Sequence, residues 1–368
     1  MSKRRKNNEG YIRFIQSKKI YEGRIRIVGK SKYFYAKTQQ EVQDKMFAFR
    51  TALRSGLDIT VTSSLREVAD KYLKVKSRIL TPKTVHGYET QYRVHIDSAL
   101  GSKKITAITP SQVFSFVDEM VSNNKSADSV NRTLKVLKAI FRHAQNNLLI
   151  INNPAENVDG VGKEEVEKRA LDTAEIKAFV TEVKKDKWFP LWFLLLNIGC
   201  RIGEALAIEW SDIDWEKDIL TISKTFEPKF GLKHSTKNKK IRKIMLNAST
   251  MKVLQEHHSK QLEQQLSLGK YWNPQDLVFA NSVGEYLNYN NIRSRHFNEI
   301  LKRAGISDFT IHGLRHTFAS QCIMNKVPFP EISHFLGHKN TRVTMEVYSH
   351  FIEEYNNTSD VMEKIING

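Results

Sequence analysis

The sequence predicts a multidomain protein: a small α+β domain of three strands and one helix, then an all-α domain, then a mainly α domain with a small β-sheet. Three observations lead there. At 368 residues the chain exceeds what one hydrophobic core usually organises. Strand-like alternation is confined to the start of the chain and one later stretch, whereas the segments between carry helical spacing. Asp159–Arg169, polar and glycine-bearing, reads as a linker. The expected division is 1–56, 62–158, the linker 159–169, and 170–368.

In the first domain, Tyr11–Gln16, Ile20–Val28 and Lys32–Ala36 read as short strands, interrupted by Gly23 and by a turn around Gly29–Ser31. Thr38, with Glu41 three residues later, is a capping box that opens a helix to about Arg54. Arginines and aromatics alternate along these strands, and the whole chain carries a formal net charge of +18, an excess that attracts a polyanion over long range. Such a sheet can lay one face in a DNA groove while the helix covers the other, with Arg13, Arg24, Arg26 and Lys32 as contacts. An ordinary small sheet with a solvated basic face is the competing reading.

The second domain reads as entirely helical. Ser64 and Glu67 form a capping box ahead of Leu65, Val68, Ala69, Tyr72 and Leu73 at helical spacing. A second helix follows Thr81-Pro82, and Thr109-Pro110 starts a third, bearing Val113, Phe116, Val117 and Met120. Ser126–Asn146 forms the fourth, ended by Asn153-Pro154: Val130, Leu134, Leu137, Ile140 and Phe141 face inward, and Arg132, Lys135, Lys138 and Arg142 outward. That outward row is a candidate DNA-binding face. A plain helical bundle with solvated lysines fits the periodicity equally.

The third domain holds the residues that carry chemistry. An apolar helix, Trp188–Ile198, precedes Gly199-Cys200-Arg201-Ile-Gly203-Glu204, and Ile202, Leu206 and Trp210 at helical spacing are expected to hold Arg201 at a helix start, with Glu204 orienting its guanidinium. Thr310–Phe318 then supplies His312, Arg315 and His316, His334–His338 a further pair of histidines, and Val347-Tyr348 a late tyrosine. On a helix His312 and Arg315 share one face, and His316 falls about 100° further round. A phosphodiester under attack gains negative charge that fixed cations stabilise. An arginine fork grips two phosphate oxygens, histidine donates hydrogen bonds or moves protons near neutrality, and a tyrosine oxygen can act as nucleophile. Taken alone, each piece has a plainer explanation: a solvated helix face for His312 and Arg315, a half-buried aromatic for Tyr348, and a solvent-facing or nucleic-acid patch for the basic run Lys237–Lys243. Cys200 reads as a small buried hydrophobe, and His334 as packing or capping near Leu336-Gly337.

Together these motifs resemble the tyrosine recombinases of the phage integrase family, with its first-arginine box, His-x-x-Arg, Leu-Gly-His and Tyr. The resemblance implies that Tyr348 attacks the scissile phosphate to give a 3′-phosphotyrosyl linkage, that Arg201 and Arg315 clamp the phosphate, and that His312 and His338 support it. It also implies a hairpin lysine that protonates the departing 5′ oxygen. Lys237 fits that position, and Lys239 and Lys240 stay open because hairpin register is easily misread. Leu171-Asp-Thr173-Ala-Glu175 resembles the start of the catalytic domain, the helical domain resembles the core-binding domain, and the first domain resembles, in pattern, the arm-binding domains of phage and conjugative-transposon integrases. Implied partners are double-stranded DNA attachment sites, further copies of the chain in a tetramer on DNA, and accessory proteins that bend DNA or set direction. The apolar stripe Val361, Met362, Ile365 and Ile366 of the tail docks either on its own domain or on a neighbour.

Energy is conserved in the covalent step, so neither cofactor nor metal is expected. Cys200 and Cys322 form no Cys-x-x-Cys pattern, and two cysteines suit a reducing, cytoplasmic setting in a bacterial host. No signal peptide or membrane span is expected, since the basic start lacks an apolar core and Trp188–Ile198 is short and interrupted by Pro190. Two other functions compete: a type IB topoisomerase, which relaxes supercoils without pairing sites, and a non-catalytic DNA-binding regulator, which forms no covalent adduct.

Overall fold

A computed structural model describes residues 10–27, 30–54, 62–163, 169–233, 241–273, 275–338 and 340–348. The chain divides into two units, Met1–Glu165 and Val166–Gly368. The first opens with an antiparallel meander of β1 (Tyr11–Ile15), β2 (Ile20–Ile27) and β3 (Lys30–Ala36). Register pairs Arg13 with Glu22, Arg24 with Tyr33 and Arg26 with Ser31, so pleating puts these three arginines on one face with Tyr33 and Tyr35. The other face sets Ile25 against Val42 and Met46 of α1 (Gln39–Arg54), whose Glu41 N–H donates to Thr38 Oγ1 at 3.2 Å. Lys32 pairs with Ile25 and therefore falls on the helix-covered face, not with the arginines as expected. One residue of parity decides the face. The expected Gly29 turn lies partly outside the described residues.

Four helices follow. α2 (Leu65–Ser77) carries the Ser64/Glu67 capping box; α3 (Pro82–Gln91), capped by Thr81, runs on into a π-helical stretch, Tyr92–Gly101. α4 (Pro110–Ser122) starts from a Thr109/Gln112 capping box, and α5 (Ala127–Asn146) from Ser126. Their apolar faces meet in a core containing Leu65, Tyr72, Val113, Phe116, Leu137, Ile140 and Phe141. α5 stops before Asn153-Pro154, because Leu148 adopts φ 56° and turns the chain back. Asn153 Nδ2 then donates to Lys138 O at 3.2 Å. The first residues of the expected linker are fastened to the same helix: Asn131 donates to Val161 O at 2.8 Å and accepts from its N–H at 2.9 Å.

The second unit starts with α6 (Thr173–Val183), opened by an Asp172/Glu175 capping box, and the apolar α7 (Phe189–Ile198). After α8 (Ile202–Ala205), β4 (Ile213–Asp214), β5 (Ile219–Ile222) and β8 (Arg242–Met245) form an antiparallel sheet in the order β4-β5-β8. Between them β6 (Thr225–Glu227) and β7 (Gly231–Lys233) pair as a separate hairpin. Helices complete the unit: α9 (Ala248–Leu268), α10 (Tyr289–Asn291), α11 (Asn298–Ala304), α12 (Ile311–Met324), α13 (Phe329–Leu336) and α14 (Thr341–Tyr348). Phe179, Trp192, Phe279, Phe297 and Leu314 lie in its core. The expected helix through Ile202, Leu206 and Trp210 is not continuous. It ends at Ala205, and Trp210 begins a 3₁₀ turn, held by its indole N–H on Gln261 Oε1 at 2.6 Å. The fold class nevertheless agrees with the expected one: mostly helical, with small sheets and an N-terminal three-stranded sheet plus helix.

Phe141 is fully buried in the helical core. Phe141→Ala is expected to destabilise the unfolding transition of that core by about 3–5 kcal/mol, measured by urea denaturation followed by circular dichroism.

Candidate active site

Gly199 ends α7 in the left-handed region at φ 60°, and a Cβ there would stand 2.5 Å from the Phe318 ring, so glycine alone suits this turn. The turn delivers Arg201 as the N-cap of α8. Glu204 accepts from the Arg201 backbone N–H at 3.0 Å and from its Nη1 at 2.9 Å, as the spacing implied. The same carboxylate accepts from Arg242 Nη2 at 2.6 Å, and both side chains are only 2% exposed. Burial pushes the Glu204 carboxyl up, but the Arg242 hydrogen bond and charge, with Arg201, outweigh it and hold its pKa below the ordinary value. Arg242 was read from sequence as part of a solvent-facing basic run; the structure corrects this. Its Nε also donates to Phe335 O at 2.8 Å. The signal for its burial is its place at the inward position of an alternating strand.

α12, capped by Thr310, carries His312, Arg315 and His316. Arg315 is 3% exposed, and its Nη1 and Nη2 donate to Gly199 O at 2.9 Å and Leu336 O at 2.7 Å. One guanidinium thus ties the end of α7 to the end of α13. His312 is exposed, while His316 is buried with its ring edge-on to His312 at 4.8 Å between centroids. Gly337 at φ 63° closes α13, its N–H donating to His334 O at 3.0 Å, and a Cβ there would come 2.8 Å from Arg242 Nη1. His334 itself is exposed.

His338, just past that turn, is half-buried, with Nδ1 2.7 Å from Thr344 Oγ1; Thr344 Oγ1 in turn lies 2.6 Å from Ser333 Oγ. Burial, then the charges of Arg315, Arg201, Arg242 and His312, lower its pKa to about 4. All four groups therefore bear on this imidazole, which is neutral at physiological pH. Tyr348 ends α14, the helix that Thr344 joins to the site. Ser333 and Thr344 were not singled out from sequence; the one signal was Thr344 lying one helical turn before Tyr348.

The remaining candidates divide. Lys237, Lys239 and Lys240 lie outside the described residues, as does the tail stripe Val361–Ile366. On the sheet, Arg13 pairs with Glu22 at 2.8 Å; Arg24 bonds Ser31 Oγ at 2.8 Å and lies 5.6 Å from the Tyr33 ring centre; Arg26 is exposed. On α5, Arg132 pairs with Asp128 and Arg142 with Glu156, and Lys135, Lys138 and Arg142 line a shallow groove. Cys200 is fully buried, which pushes its thiol up to about 12 and keeps it out of the chemistry. What the cluster can do is bind one oxyanion and stabilise charge growing on it.

A family model described as the phage integrase family matches residues 164–354, and one described as the phage integrase N-terminal SAM-like domain matches residues 64–121. The chain is 28% identical over 346 residues to the tyrosine recombinase XerC-like protein of Caldanaerobacter subterraneus subsp. tengcongensis, covering 87% of this chain and 88% of that one. Its fold is similar to that of the Tn1549 transposon integrase in complex with a circular intermediate DNA, with a TM-score of 0.68, 19% identity, and coverage of 83% of this chain and 100% of that one. It is also similar to a lambda integrase tetramer bound to a Holliday junction, with a TM-score of 0.62, 20% identity, and coverage of 94% and 96%.

The neutral His338 has a consequence for stability. Its folded pKa of about 4 lies below the ordinary 6.5, so the unfolded chain binds the extra proton first. This contribution is complete above pH 6.5 and is lost as pH falls toward 4. His338→Gln is expected to show a shallower fall in stability across that window than wild type, in denaturant titrations at a series of pH values.

Proposed function

We propose that this chain, which belongs to the phage integrase family and is a site-specific recombinase that breaks and rejoins DNA strands, uses Tyr348 as its nucleophile. The phenol oxygen attacks the scissile phosphorus, the bond to the 5′ oxygen breaks, and a 3′-phosphotyrosyl linkage forms. The freed 5′ hydroxyl of a partner duplex then attacks the same kind of linkage and releases the tyrosine. Arg201 and Arg315 hold the phosphate and stabilise its added charge. His312 and His338 donate hydrogen bonds to it, and Lys237 protonates the departing 5′ oxygen.

The observation that carries this reading is the convergence of Arg201 and Arg242 on Glu204, and of Arg242 and Arg315 on the carbonyls that end α13 just before His338, which Thr344 joins to the helix that ends in Tyr348. A neutral imidazole suits a hydrogen-bond donor that must not add charge to a site already rich in guanidinium groups. Arg13, Arg24 and Arg26 on the exposed sheet face, and Arg132, Lys135, Lys138 and Arg142 on α5, form the wider DNA contact. The ion pairs of Arg132 and Arg142 are exposed and cost little to exchange for phosphates, whereas Arg13 is held by the buried Glu22.

The sheet domain and the helical domain each have their own apolar core among the described residues, distinct from those of the second unit, which supports a division at 1–56, 62–158 and 170–368. On DNA the chain works as a tetramer at paired attachment sites, assisted by proteins that bend DNA or set direction, in the cytoplasm of a bacterial host. No helix among the described residues is long and apolar enough to cross a membrane.

The test is incubation with a nicked duplex carrying the attachment junction of the element. Wild type is expected to give a denaturant-resistant protein–DNA adduct and Tyr348→Phe none; adducts of equal yield from both would mean another nucleophile. Arg201→Lys, which loses the planar fork, is expected to slow adduct formation by about a hundredfold with duplex binding retained.

A further inference from the structure

Ser333, Thr344 and His338 form a chain of three polar groups whose protons can be traced. Ser333 and Thr344 are buried, at 7% and 0% exposure. The Ser333 hydroxyl has one partner among the described residues, Thr344 Oγ1 at 2.6 Å, and Thr344 Oγ1 has two, Ser333 and His338 Nδ1 at 2.7 Å. A buried hydroxyl proton left without an acceptor costs about 1–3 kcal/mol. If Thr344 donated to Ser333, the serine proton would be left in that position. Only the opposite direction satisfies every group: Ser333 O–H donates to Thr344, Thr344 O–H donates to His338 Nδ1, and Nδ1 accepts. A neutral imidazole has a single proton, so it resides on Nε2.

The two hydroxyls sit on different helices. Ser333 is on α13, which ends next to His338, and Thr344 is on α14, which ends in Tyr348. We propose that Thr344 is a positioning residue: it keeps the His338 proton on Nε2, available to the scissile phosphate, and does so only while the Tyr348-bearing helix is seated. Unseating α14 removes the donor to Nδ1, and His338 then loses its fixed tautomer. Cleavage competence of the histidine is thereby tied to delivery of the nucleophile. The groups facing His338 from the other elements are Arg201 at the start of α8, Arg242 on β8, and His312 and Arg315 on α12. They disfavour a second proton on the ring, which leaves the choice of tautomer to the hydroxyl chain.

The inference rests on His338 as a phosphate donor only for its functional half, so two readouts separate the halves. Nitrogen NMR of the full chain with labelled histidine, assigned through His338→Gln, is expected to show wild-type His338 with Nδ1 unprotonated and Nε2 protonated. Thr344→Val, which keeps the shape and deletes the hydroxyl, is expected to populate the Nδ1–H form and to slow adduct formation on the nicked junction duplex on the order of tenfold, with duplex binding unchanged. Thr344→Ser restores both. If Thr344→Val fails to fold by circular dichroism, Thr344→Ala takes its place, since it too deletes the donor to Nδ1. A Thr344→Val or Thr344→Ala protein with the wild-type tautomer overturns the proposal, as does a Thr344→Ser protein as impaired as Thr344→Val. A shifted tautomer with unchanged adduct rate would retain the hydroxyl chain and instead remove His338 from the reaction.

Discussion

A single buried carboxylate organises the cationic centre. Glu204 accepts hydrogen bonds from the backbone and guanidinium of Arg201 and from Arg242, and Arg242 reaches on to the carbonyl of Phe335. Guanidinium groups packed near one another repel, and a buried charge without a partner destabilises a fold by about 3–5 kcal/mol. Glu204 answers both problems at once, because it lies between two of the three arginines and is itself kept ionised by them. α8, β8 and the end of α13 are held in register by this one group, and Arg201 is thereby aimed while remaining 29% exposed.

The centre is built from chain segments far apart in sequence, each ending where it is needed. α7 and α13 both finish with a left-handed glycine, and the carbonyls near those ends are the acceptors that Arg315 bridges. Positive charge at helix C-termini is favoured by the aligned peptide dipoles, so the arginine is stabilised before any phosphate arrives. The guanidinium groups are held in place by these bonds, and charges fixed in advance are the ones that are effective in a transition state.

Much of this was legible in the residues. Ser64 with Glu67 and Thr109 before Pro110 marked helix starts because capping is a local hydrogen-bonding problem, solved by local sequence. His312, Arg315 and His338 stood out only jointly with Arg201 and Tyr348, in an order that resembles the phage integrase family; taken alone, His312 and Arg315 read as a solvated helix face. Sequence failed where the deciding partner was remote. Arg242 looked solvated because its carboxylate partner lies 38 positions away, and no window along the chain links the two. Ile202, Leu206 and Trp210 have helical spacing, but Trp210 is drawn into a 3₁₀ turn by Gln261 and by the backbone of Asp276. Lys32 was grouped with the sheet arginines by charge, when pairing parity puts it on the opposite side. Ser333 and Thr344 are common hydroxyl residues, and nothing in their types announces that they meet.

In the proposed mechanism Arg315 has a double duty that bears on how sequences of this kind are interpreted. Its side chain is as much a rivet between two helix ends as a hand for an anion, and the rivet is needed whether or not any strand is ever cut. On that mechanism, a relative that had abandoned catalysis would still be selected to keep Arg315, whereas the exposed His312, whose proposed role is chemical only, would drift. Retention of the buried arginine therefore vouches for an intact scaffold; the solvent-facing imidazole is the better witness to a living enzyme.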